Sequence, residues 1–209
     1  PGVRYTCLVP NERGLDAALA AGVQDVAVFT AASETFNQKN INMTIPQSLE
    51  RIRATIKRAK DAGLWVRGYI STAWHCPYEG KIAVEKVLDV ALPLRDAGCN
   101  EISIGDTIGH AEPGEIKPLL ELLLTKIITQ NLAVHFHDTY GQALSNTLTA
   151  MLEGITTIDS SIGGLGGCPF AMSATGNLAT EDLVWQLHGL GISTGVNIPF
   201  TSPVSNGHE

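Results

Sequence analysis

His135, His137 and Asp138 crowd one short stretch of the chain, AVHFHDTYGQALSN (133–146). One residue separates the histidines. On an extended strand both rings therefore leave the same face, and Val134 and Phe136 leave the other. Two imidazoles side by side form a chelate for a divalent metal ion. A packing role, as satisfied core histidines, is the alternative; the place at the end of an apolar run, followed by Asp, favours a ligand pair. Asp138 has two readings: it holds an imidazole N–H from behind, or it caps the helix that Gly141 opens.

Other reactive side chains fall at similar places. Asp106, in GDTIG (105–109), is either a turn aspartate or a carboxylate that meets a metal, a substrate hydroxyl or a proton in transit. SIGGLGGCPFA (161–171) packs four glycines ahead of Cys168 and Pro169. Glycine costs backbone entropy, so this density is read as a mobile loop that carries one thiol to a substrate as a proton donor. A thiol near a metal or a helix N-terminus exchanges protons near neutral pH. Cys7, Cys76 and Cys99 are expected to be small buried hydrophobes, with Cys76 in WHCPYEG also near the mouth of a site. His75, His110 and His188 are expected at the surface or in packing.

The elements that position these groups recur in a simple rhythm. β-branched runs stand at 3–9, 25–30, 64–70, 100–105, 132–137 and 156–161, separated by segments with helical spacing of apolar residues. Gly22, Gly63, Gly98, Gly154 and Gly191 stand where those helices should end. Alternating strand and helix predicts a parallel sheet with right-handed crossovers. No G-x-G-x-x-G follows the first strand, and polar residues gather just after strands, as on the active face of a barrel. The fold predicted is an α/β TIM (β/α)8 barrel, incomplete, with about six β/α units over residues 1–198. Residues 199–209, PFTSPVSNGHE, are predicted to be a disordered tail.

The chain has 209 residues, 44% of them hydrophobic, and a net charge of −7. The acidic balance argues against nucleic-acid and membrane-surface partners. No apolar run is long enough to span a bilayer, and the scattered cysteines suggest a reducing compartment rather than a disulfide scaffold.

Several segments together carry a resemblance: HFHDTYGQALSNTL, GDTIG, CPYEGKI, AASETFNQKNIN and GLGGCPFA followed by GNLATEDLVWQLHGLGISTGVN. In this order they resemble the 3-hydroxy-3-methylglutaryl-CoA lyase family, over about residues 1–198. The wider superfamily of metal-dependent Claisen-type barrels shares the His-x-His. The resemblance implies cleavage of 3-hydroxy-3-methylglutaryl-CoA to acetyl-CoA and acetoacetate, in leucine breakdown and ketone-body formation. It implies Mg²⁺ or Mn²⁺ held by His135, His137 and Asn177. Cys168 and Asp106 would be catalytic; Asn40 and Thr107 would meet the acyl-CoA substrate. A homodimer at full length is implied, in a bacterial cytoplasm or a mitochondrial matrix.

The resemblance has gaps. The family's first two strand–helix units, which carry an Arg-Asp pair and a glutamate, have no counterpart; the pair Arg95-Asp96 sits at a helix end and is expected at the surface. Six strands stand where a closed barrel needs eight, which suggests a fragment of a longer chain. Two other functions stay open at this point. One is a lyase or synthase for another 3-hydroxyacyl-CoA, and the other is an inactive truncated remnant. Trp74 and His75 are expected at the mouth, against the outer part of the substrate.

Overall fold

Helix boundaries are written into the chain locally. In the helix Ile45–Asp61, Thr44 Oγ1 accepts from Gln47 N–H while the Gln47 side chain accepts from Thr44 N–H, and Pro46 occupies the first turn. Ile52, Ile56 and Ala59 recur on one face of it and are buried. The chain leaves through Gly63, whose φ of 77° is the left-handed turn that glycine accepts.

The computed structural model describes residues 2–167 and 176–198. In chain order the elements are β1 (Thr6–Leu8), α1 (Glu12–Ala20), β2 (Asp25–Ala31), α2 (Glu34–Ile41), α3 (Ile45–Asp61), β3 (Trp65–Ser71), β4 (His75–Cys76) and β5 (Gly80–Lys81). Then come α4 (Val84–Ala97), β6 (Glu101–Asp106), α5 (Pro113–Leu124), β7 (Leu132–Phe136), α6 (Ala143–Leu152), β8 (Thr157–Asp159) and α7 (Thr180–Gly189). Six strands form one sheet in the order β1-β2-β3-β6-β7-β8, every neighbouring pair parallel. Strand order follows chain order without the reversal that defines a doubly wound sheet. The fold is an incomplete TIM-type barrel, with each predicted strand in place.

Two elements escape the periodicity. The β4–β5 hairpin is too short to show a pattern. Helix α2 buries only Phe36 and Asn37, and it is held by its ends: Ser33 Oγ accepts from Phe36 N–H, and Asn42 closes it with a φ of 55°. Cys7, expected buried, is exposed, because among the described residues β1 is an edge strand that pairs with β2 alone. Trp74, expected at the mouth, is buried behind the sheet against Phe136 and donates its Nε1–H to Glu115 O. His75 does lie nearer the surface, on Glu115 and stacked on His110. The Arg95–Asp96 pair sits at the exposed end of α4.

Register decides what faces inward. It sets Arg67 beside Glu101, Tyr69 beside Ser103, Gly105 beside His135, and His135 beside Asp159. Those residues share the concave face. Val66, Ile70, Ile102, Ile104, Val134 and Phe136 alternate with them and are buried among the helices. Each such burial contributes about 1.5–3 kcal/mol. A barrel interior is usually filled by Val, Ile and Leu; here it is polar.

Candidate functional site

At the C-terminal ends of the strands lies a cavity of about 400 Å³. His135, His137, Asn177, Asn40 and Thr107 line it, with Phe29 and Tyr69 on its apolar side. These are five of the residues expected from the sequence, brought from α2 and the ends of β6 and β7 and from the segment after the glycine run. Cys168 lies outside the described residues, as does the 199–209 tail; Gly167, which precedes Cys168, lines the cavity.

The two imidazoles stand with ring centroids 5.3 Å apart. His137 is 4% exposed, and its Nδ1 is buried with no hydrogen-bond partner among the described residues. Burial first, and the neighbouring His135 second, hold its pKa down to about 4. A neutral ring with an unpartnered buried nitrogen is what a cation ligand requires. Asn177 is delivered by a single antiparallel bridge to His137. Leu178 N–H donates to Phe136 O and Asp138 N–H to Gly176 O on either side of that bridge. The Asn177 Nδ2 donates to Leu165 O at 2.9 Å, so Oδ1 is the atom left for a hard cation. Two imidazoles and one amide oxygen fit a divalent ion. Among the described residues, no cluster of three or more His, Cys, Asp or Glu is placed to hold one.

The glycine run has a structural cause. Gly164 O accepts from Asn177 N–H, and a Cβ on Gly164 would stand 2.9 Å from Asn177 O. A Cβ on Gly166 would stand 3.0 Å from Asn177 Nδ2. Both have positive φ. The described part of the run is a close-fitting cradle for Asn177, and the proton-donor role expected of the loop falls on Cys168, outside the described residues. Gly109 does similar work for His137: with φ at +66°, its Cβ would come within 2.9 Å of His137 O and Thr139 N. The substitution Gly109→Ala should destabilise the protein by about 3 kcal/mol, from left-handed strain plus overpacking. Urea denaturation checks this, and an unchanged midpoint contradicts it.

Asp106 does not face the cavity. Alternation along β6 turns Gly105 and Thr107 inward and Asp106 outward, in register with Phe136. Its carboxylate accepts from His110 N–H and Ala111 N–H, so it acts as a turn aspartate that clamps the loop before α5. Burial pushes its pKa up to about 6 against those two hydrogen bonds. Asp138 likewise is a cap: its Oδ1 accepts from Ala143 N–H at 2.9 Å. Thr107 Oγ1 accepts from Thr72 N–H at 2.7 Å. Thr72 is buried with a φ of 54°, a conformation that costs a β-branched residue about 1–3 kcal/mol. That clasp shapes the wall where Thr107 and Ser71 meet the cavity.

His137 and Asp106 give opposite pH signatures. The neutral His137 ring contributes stability above its unfolded pKa of 6.5, and this is lost as pH falls through about 4. Asp106 contributes below its unfolded value of 3.8, and this is lost as pH rises through about 6. In metal-free protein, wild type should therefore lose about 3 kcal/mol relative to His137→Gln between pH 7 and pH 4. Urea titrations at the two pH values read the difference; a constant gap would refute it.

Three charged residues escaped the sequence reading. Asp159, on β8, lies with Oδ2 3.3 Å from His135 Nδ1, and its Oδ1 takes a 2.7 Å ion pair from Arg67. Arg67 Nε also lies 2.7 Å from Glu101, and its Nη1 donates to Tyr69 Oη. Burial raises the Asp159 pKa, but the His135 contact and the Arg67 charge outweigh it and the net shift is downward. A carboxylate inside the β-branched run TTIDSS was the available signal.

Parallel strands in chain order, ringed by helices around a polar chamber at their C-terminal ends, define a TIM-type barrel protein. The chain belongs to the HMGL-like family, which matches residues 4–206. It is 56% identical over 198 residues to mitochondrial hydroxymethylglutaryl-CoA lyase of Bos taurus, covering 95% of this chain and 61% of that protein. It is 52% identical to the cytoplasmic 3-hydroxy-3-methylglutaryl-CoA lyase of Rattus norvegicus, covering 95% of this chain and 58% of that one. Hydroxymethylglutaryl-CoA lyase from Pseudomonas aeruginosa superposes with a TM-score of 0.91 at 50% identity, covering 94% of this chain and 66% of that structure. The chain thus spans about three-fifths of the length of the curated relatives it matches. Among the described residues, no helix is long and apolar enough to cross a membrane.

Proposed function

We propose that this chain carries the metal-binding and proton-donating part of a lyase that cleaves 3-hydroxy-3-methylglutaryl-CoA to acetyl-CoA and acetoacetate. The observation that carries the reading is the His137–Asn177 bridge, which puts the amide and both imidazoles on one cavity. The likeness to hydroxymethylglutaryl-CoA lyases supports the choice of substrate.

In this reading His135, His137 and Asn177 hold Mg²⁺ or Mn²⁺. When bound, the ion supplies Lewis-acid chemistry that lowers the pKa of the substrate's 3-hydroxyl. A base takes the hydroxyl proton, the C2–C3 bond breaks, and its electron pair passes into the thioester as an enolate. Acetoacetate leaves with the new ketone. Cys168 gives its thiol proton to the enolate carbon, which yields acetyl-CoA. Thr107, whose oxygen is already engaged by Thr72 N–H, can donate its own hydrogen into the cavity. Asn40 lines the same wall and is assigned to the acyl-CoA. Asp106 serves by fixing the loop beside His110. The assembly is assigned as a homodimer of full-length chains, in a bacterial cytoplasm or a mitochondrial matrix.

The test is a product assay. Purified full-length protein is incubated with 3-hydroxy-3-methylglutaryl-CoA and Mg²⁺, and acetoacetate is measured. Metal-dependent acetoacetate release is expected. Its absence, with the substrate recovered intact and the metal bound, would sink the assignment.

A further inference from the structure

A ligand histidine has two nitrogens, and something must decide which one carries the proton. For His135 the polar interior of the barrel supplies that decision. Its Nδ1 lies 3.3 Å from Asp159 Oδ2, and the same oxygen accepts from Ser103 Oγ at 3.2 Å. The other carboxylate oxygen is held by Arg67 at 2.7 Å. Arg67 in turn is buried, 9% exposed, and lies against Glu101 and Tyr69. The set spans β3, β6, β7 and β8, so each partner is fixed by strand register rather than by a loop. Tyr69 also stands edge-on to the His135 ring, with centroids 6.3 Å apart.

We propose that Asp159, clamped by Arg67 and Ser103, is a positioning residue that holds His135 as the Nδ1–H tautomer and turns its Nε2 toward the cavity. A carboxylate accepts and cannot donate when ionised, so it fixes the proton on the nitrogen facing it. The remaining nitrogen then keeps its lone pair for a cation, and the ring loses its freedom to rotate. The contrast with His137 is informative. Among the described residues that ring has no hydrogen-bond partner on its buried Nδ1, whereas the Nδ1 of His135 meets a carboxylate. The cation part of this inference rests on the metal reading given above; the tautomer part does not.

Two measurements separate them. In metal-free protein at pH 8, ¹⁵N-detected imidazole NMR should show His135 as the Nδ1–H tautomer. Asp159→Asn, whose amide both donates and accepts, should leave a mixture, and Asp159→Glu should restore the tautomer in part. Mn²⁺ titration followed by electron paramagnetic resonance should show binding weakened about 10–100-fold in Asp159→Asn. Circular dichroism confirms that each variant is folded. If wild type binds no Mn²⁺ while the tautomer shifts as stated, the metal reading fails and the positioning role stands. An Nε2–H tautomer in wild type overturns the proposal, and needs no variant to fold. A folded Asp159→Asn with unchanged tautomer and unchanged Mn²⁺ affinity overturns it as well.

Discussion

Replacing His137 by alanine is expected to abolish divalent metal binding, by more than the 10–100-fold that loss of an outer partner costs. The reason lies in how the ring is held. It is buried, neutral at physiological pH, and has no hydrogen-bond partner on Nδ1 among the described residues. It therefore contributes a nitrogen that a bound cation would engage. The backbone of residue 137 still pairs with Asn177 after the substitution, because the bridge uses main-chain atoms. The amide should stay in place, and the loss should report the imidazole alone. His135→Ala should behave alike. His110→Ala, which removes a ring stacked on His75 away from the cavity, should leave the affinity unchanged. Isothermal titration with Mn²⁺ measures all three. Metal affinity in His137→Ala within about threefold of wild type, against the loss expected of a ligand, would overturn the proposed site.

The second large effect is expected on turnover. The substitution Cys168→Ser should lower kcat by about 10²–10⁴-fold, the range that a positioned proton donor supplies. The serine hydroxyl is a similar size but gives up its proton far less readily than a thiol. Metal affinity and KM should change little, since His135, His137 and Asn177 are untouched. Steady-state acetoacetate release, with Mn²⁺ titration on the same preparation, separates the two quantities. A serine variant that turns over within about threefold of wild type would remove Cys168 from the proton-transfer role.

Much of the barrel was legible because its signals are local. The six strands announce themselves by runs of β-branched residues, and α3 by its caps and spacing. The pairing of His135 with His137 on one face needs only a period of two. Helix α2 was not legible, because it has almost no apolar stripe. Asp106 was ambiguous because its direction depends on where β6 ends; one residue of shift would have turned it into the cavity. The close fit of the glycine run to Asn177 was not legible because its cause is distant. Gly164 and Gly166 are small to admit Asn177, which lies beyond the residues that separate them in the chain.

What the sequence determined by itself is the order of strands and helices, the two same-facing imidazoles, and the family to which they point. The first two follow from spacing along the chain, and the family from the resemblance of several segments in order. Only the tertiary structure decided which charges meet. Arg67 and Asp159 are 92 residues apart, and His135 and Asp159 are 24 apart. Their contact is set by the register between parallel strands, and register is a property of the sheet that no single strand carries.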